Sequence, residues 1–117
     1  MTNERRMMKP VIISLLLVSV FLIAAPAAKQ NFTGVITDSM CPEADHSKMR
    51  MGSTDAECTI ACIELHDAMY VLFDGKEVYV LSDQKTPEKF AGKKVTVSGT
   101  LDAKTKTIQV EAIAAAK

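Results

Sequence analysis

The stretch Cys58-Thr-Ile-Ala-Cys62-Ile-Glu-Leu-His66-Asp-Ala-Met69 places two thiols, an imidazole and a thioether at intervals of four, four and three residues. Each residue of an α-helix turns the chain by about 100°, so the four point to about 0°, 40°, 80° and 20° and share one stripe if the helix runs that far. The segment ahead adds Met40, Cys41, His46, Met49 and Met51, so every cysteine and histidine of the chain falls between residues 40 and 69. Thiolate, thioether and imidazole together select soft or borderline ions, Cu(I) and Zn(II) foremost, and disfavour oxygen-seeking ones. The expected ligands are Cys41, His46, Cys58, Cys62 and His66, with Met49, Met51 and Met69 as weaker candidates. Two thiols one helical turn apart can hold one ion, and Cys41 and His46 can swing over from the loop. Three cysteines and one histidine would satisfy tetrahedral zinc, and a two- or three-coordinate Cu(I) site would use the thiolates and borrow a methionine. Cys58 lies near the expected helix start, where the macrodipole favours a thiolate.

Other readings of the same residues stand beside this one. Cys41 paired with Cys58 or Cys62 would staple the loop to the helix, and a closed loop of that length stabilises a fold by roughly 3 kcal/mol. Cys58 and Cys62 could instead form an exchangeable thiol pair. Taken singly, Met69 reads as core filler, His66 as a cap on the last helical carbonyls, and His46 as a solvated loop residue.

The elements that must position these groups are legible in outline. Gln30 to Thr37 reads as a strand in which Gly34 marks a bulge or a close approach. The pattern then gives way to a loop from Asp38 to Thr54. Thr54-Asp-Ala-Glu57 is a capping box, opening a helix from about Asp55 to about His66. Residues 69–73 and 77–81 read as strands joined at Asp74-Gly75-Lys76, a hairpin signal. Residues 82–91 suit a loop or one helical turn, and residues 93–101 and 107–113 alternate with period two. Five short strands suggest a mainly β fold, a small OB-like barrel whose closure removes exposed edges, with the helix in a Cys/His-rich insertion (residues 38–68) between strands 1 and 2. An open five-stranded sheet with the helix packed on one face is the alternative.

Ahead of this domain, Arg5, Arg6 and Lys9 precede an apolar run from Val11 to Ile23 that ends in Ala24-Ala-Pro-Ala-Ala28. That order is the signature of a secretory signal peptide, and an apolar run of 13 residues falls short of the roughly 20 needed to span a bilayer. The expectation is a leader over residues 1–27, removed or kept as an anchor, and one domain over residues 28–117 in the periplasm or secreted, with no other membrane association. Export permits disulfides, and the odd third thiol then asks for another role such as ligation. Residues 28–117 carry 11 basic and 13 acidic side chains, a balance with no electrostatic footprint for nucleic acid. No nucleophile-base pair, phosphate loop or carboxylate pair points to an enzyme. The partners expected are a metal ion and, on the stapled reading, an envelope protein.

Two resemblances accompany these readings. The spacing Cys58-x3-Cys62-x3-His66-x2-Met69 resembles the ligand loop of the binuclear copper centre in subunit II of cytochrome c oxidase, over 12 residues and as shared ligand chemistry rather than kinship. More widely, Gly34-Val-Ile-Thr-Asp-Ser-Met-Cys41, Asp45-His46, Thr54-Asp-Ala-Glu-Cys-Thr59, Asp74-Gly-Lys76 and Phe90-Ala-Gly-Lys resemble a family of small exported bacterial proteins of unknown function. That likeness implies an OB-like domain with a Cys/His loop and implies no activity.

Overall fold

The alternating runs form five strands, β1 (Lys29–Asp38), β2 (Tyr70–Phe73), β3 (Val78–Leu81), β4 (Lys94–Asp102) and β5 (Thr107–Ala115). Helix α1 (Asp55–His66) lies between β1 and β2, and a 3-10 turn over Thr86–Phe90 lies between β3 and β4. This computed structural model describes Ser19 and residues 27–117, so the expected leader falls, but for Ser19 and Ala27, outside the described residues. Among those described, no helix is long and apolar enough to cross a membrane.

The strands close into a ring in the order β1-β2-β3-β5-β4, not into an open sheet with a helix on one face. β1 makes closure possible because its two halves serve different neighbours. Residues 29–35 pair with β4, and residues 35–38 pair with β2, both antiparallel. At the changeover a Cβ on Gly34 would overlap the Phe73 carbonyl, so the close approach expected from the sequence is real and excludes a side chain there. The last seam is the parallel contact of β3 with β5, two register pairs long. Val80 N–H donates to the Lys106 carbonyl at 2.9 Å and Ser82 N–H to that of Ile108 at 3.0 Å, extending the seam.

Alternation along the strands sends one set of side chains inward. Ile36, Leu72, Leu81, Val95, Val97 and Ile108 are fully buried and form the core with Tyr70 and Ala91. Burying each aliphatic side chain of this size is worth about 1.5–3 kcal/mol. The β2–β3 hairpin turns as Asp74-Gly75-Lys76 foretells, with Gly75 at φ 98° and the Asp74 carboxylate accepting the amides of Lys76 and Glu77 at 2.8 and 2.6 Å.

Helix α1 begins at the expected capping box. The Glu57 amide donates to Thr54 Oγ1 at 3.1 Å, and the Glu57 carboxylate accepts the Thr54 amide at 3.2 Å. Ala56, Ile60 and Ile63 pack against the core of the ring. Gly92, at φ 75°, lies under the first turn, where a Cβ would stand 2.9 Å from the Ala56 nitrogen. The helix stops at Asp67, which adopts the left-handed conformation (φ 53°) and turns its amide back to the Cys62 carbonyl. The ligand stripe therefore ends at His66: Met69 lies beyond the helix, with its amide donating to Ser39 Oγ at 2.9 Å. A left-handed cap redirects the chain, so the helical phase that would have aligned Met69 with Cys58 is lost.

Candidate metal centre

The site is built where β1 ends. Asp38 closes the strand, and its carboxylate turns inward because the next residues fold back over it. Asp38 Oδ1 accepts the amides of Met40 and Cys41 at 3.0 and 2.9 Å, an Asx-type turn. Thr37 Oγ1 donates to the Cys41 carbonyl at 2.8 Å, which also accepts the Ala44 amide at 3.0 Å. These bonds fix the Cys41 backbone beside the strand end. Ala44 takes a positive φ of 58°, and two residues later His46 enters the interior.

His46 is only 2 % exposed. Its Nε2 lies 2.9 Å from Asp38 Oδ2 and its Nδ1 lies 3.4 Å from Asp55 Oδ1, so the ring bridges the end of β1 and the first turn of α1. One ligand atom each from Asp38, Cys41 and His46 lie within 4.8 Å of one another, a spacing at which the three can hold an ion. A carboxylate oxygen, a thiol sulfur and an imidazole nitrogen form a mixed donor set suited to borderline transition metals.

The helix contributes a second layer of sulfur. Cys58 and Cys62 are completely buried, Cys58 Sγ donating to the Gly52 carbonyl at 3.4 Å and Cys62 Sγ lying 4.0 Å from Met51 Sδ. Burial, then the negative charge of Asp38, then Cys41, pushes the Cys62 thiol up to about 11. The Cys41 thiol is raised by burial first and then by the charges of Asp38, Asp45 and Cys58. Asp38 thus acts on both the Cys41 and the Cys62 thiols. All three cysteines are free. A thiol held in its neutral form is a poor nucleophile, and burial favours that form of Cys62 near neutral pH.

Of the ligands expected from the sequence, Cys41 and His46 are brought together, and Cys58 and Cys62 are buried within electrostatic reach of them. His66 is exposed at the last turn of α1, beside Leu65 at 68 % exposure, and is not in the ligand group. It shares a helical stripe with Cys58 and Cys62, but the loop that covers those two does not extend over the final turn. Among the weaker candidates Met51 touches Cys62, whereas Met49 and Met69 are exposed. Asp38 was absent from the expected set. The cue for it was an aspartate three residues before a cysteine at a strand end, a spacing at which the carboxylate can bond the following amides and be carried inward with them.

The class thus defined is a closed five-stranded sheet bearing a largely buried Asp/Cys/His cluster at the end of its first strand and in the insertion that follows. A family described as a protein of unknown function (DUF5818) matches residues 70–116. The match covers β2 to β5 and leaves the cluster and α1 ahead of it. No curated protein matches the chain. No solved structure matches it.

Proposed function

We propose that this chain is an exported metal-binding protein that holds a soft or borderline transition-metal ion at the Asp38, Cys41 and His46 cluster, with Cys58 and Cys62 as further ligands. The observation that carries the reading is the convergence of three different donor atoms within 4.8 Å of one another at a buried strand end. Copper is the first candidate, because the cluster can draw on three thiols and the Met51 thioether that touches Cys62. Structural zinc is the second, using Cys41, His46, Asp38 and one helix thiol. The reading is of a binding protein rather than an enzyme, working in the periplasm or outside the cell. The ring order, with β3 parallel to β5 and a short helical turn between β3 and β4, favours the OB-type assignment for its scaffold.

His46 would bind a metal through a ring nitrogen that now faces a carboxylate, where the ion would compete with a proton for the nitrogen lone pair. The thiols must also lose their protons, which burial and Asp38 hold on. Binding therefore releases protons and weakens as pH falls.

The test is native mass spectrometry of the exported protein, purified without chelators, reduced, and offered Cu(I) or Zn(II). The expected result is a one-metal mass excess that is abolished in Cys41→Ser/His46→Ala and kept in His66→Ala, whose side chain is exposed. A reduced, folded wild-type chain that takes up neither ion would overturn the proposal.

A further inference from the structure

Beside the cluster lies an open depression of about 400 Å³ whose lining includes Met40, Cys41, Glu43, Asp45, Lys48 and Met49. Its floor chemistry is unusual for a surface hollow. Met40 and Met49 are 40 % and 41 % exposed, two of the four large apolar side chains left exposed among the described residues. Cys41 is the one cysteine that is not fully buried, while Cys58 and Cys62 are closed off from solvent. Two carboxylates against one ammonium leave the rim net negative.

Building on the metal reading above, we infer that this depression is the port through which Cu(I) is handed to the buried site, with the Met40 and Met49 thioethers as transient ligands that pass the ion to Cys41. Three observations converge on it. An ion bound at Asp38, Cys41 and His46 needs a path from water, and Cys41 is the only ligand of that group that both borders the depression and has exposed surface. The path is flanked by two thioethers, which bind Cu(I) without having to lose a proton and bind Zn(II) poorly. Both methionines keep about 40 % of their surface exposed and neither is among the side chains packed against the core of the ring, so filling space in that core does not account for them. Transfer is a ligand exchange without change of oxidation state. Each new Cu–S bond forms as one to the preceding sulfur or to the donor breaks, and the Cys41 proton leaves to solvent as its thiolate takes the metal.

The experiment follows Cu(I) transfer from its coloured bicinchoninate complex to the full chain by stopped-flow absorbance, with equilibrium partition measured in the same titration. The variant is Met40→Leu/Met49→Leu, which keeps apolar bulk and removes sulfur, with circular dichroism confirming the fold. The expected result is a transfer rate reduced about tenfold or more, with the equilibrium partition and Zn(II) loading changed less than about threefold. An unchanged rate overturns the port while leaving the metal site standing. A partition that falls as far as the rate makes the two methionines resident ligands and also overturns it. A wild-type chain that takes no Cu(I) from the complex or from free Cu(I) overturns the port together with the reading beneath it.

Discussion

A carboxylate at the last position of a strand ordinarily faces water, yet Asp38 is fully buried. It can be so because both oxygens are occupied, one by the amides of Met40 and Cys41 and the other by His46. Removing the side chain leaves these partners without an acceptor, and an orphaned buried polar group costs about 1–3 kcal/mol. Asp38→Ala is therefore expected to lower the melting temperature clearly. Asp38→Asn keeps an oxygen for the amides and should melt close to wild type, while its loss of charge weakens metal retention about tenfold or more against a chelator. Equal metal retention in Asp38→Asn would remove Asp38 from the site. In the sequence this residue is one aspartate in Asp38-Ser-Met-Cys41, like many exits from a strand, and only the fold-back of the chain gives it a buried role. His66 shows the opposite case. Periodicity put it on the correct stripe, but burial of that stripe depends on where the covering loop stops, and no local pattern encodes that.

At the scale of elements, α1 holds its two cysteines in place through its ends. The capping box satisfies the first turn, and the left-handed Asp67 closes the last. Replacing a threonine N-cap typically costs about 1 kcal/mol, so Thr54→Ala is expected to lower the urea midpoint by a corresponding amount without changing the strand signature in circular dichroism. A midpoint equal to wild type would mean that the box contributes nothing to the folded state. This motif was readable because Thr54 and Glu57 act across three residues of chain. The five strands were readable for a similar reason, since period-two alternation records which face is inward. The seam that completes the ring was not: β3 and β5 meet in parallel over two register pairs, far apart in sequence. The interval where ligands were expected holds the Asp38, Cys41 and His46 group, and which of its residues meet was fixed by a closure that only the whole chain determines.

For the whole molecule, acid should be the more revealing direction of pH. Hydrogen bonds hold four carboxyls below the ordinary carboxylate range: Asp45 chiefly by Ser47, Glu57 chiefly by the Ser53 side chain, Asp74 by the Glu77 and Lys76 amides, and Asp83 by Thr86. Each group binds its proton more weakly folded than unfolded. Its contribution to stability is present above about pH 4, where the unfolded carboxyls are ionised, and is lost as pH falls through the depressed values. Asp45, Glu57 and Asp74 are exposed and Asp83 is half-buried, so each contributes little and the effect is collective. The expected outcome for the metal-free protein is a melting temperature that is nearly level from about pH 5 to 7 and falls progressively below about pH 4. A level profile down to about pH 2 would contradict the role assigned to these bonds.

The ends of the insertion meet. Ser39 N–H donates to the Met69 carbonyl at 2.9 Å, and Met69 N–H returns to Ser39 Oγ at the same distance. The chain thus leaves the ring and comes back to it at one point, having collected every cysteine and histidine on the way. Topologically the excursion is a closed petal on a stem, and the stem is where two adjacent antiparallel strands could equally be joined by a short turn. The thiols and imidazoles thus ride on an insertion that is tied to the ring at its stem and again where α1 packs on the core, and residues between those two anchors can be added or removed without redrawing the strand order.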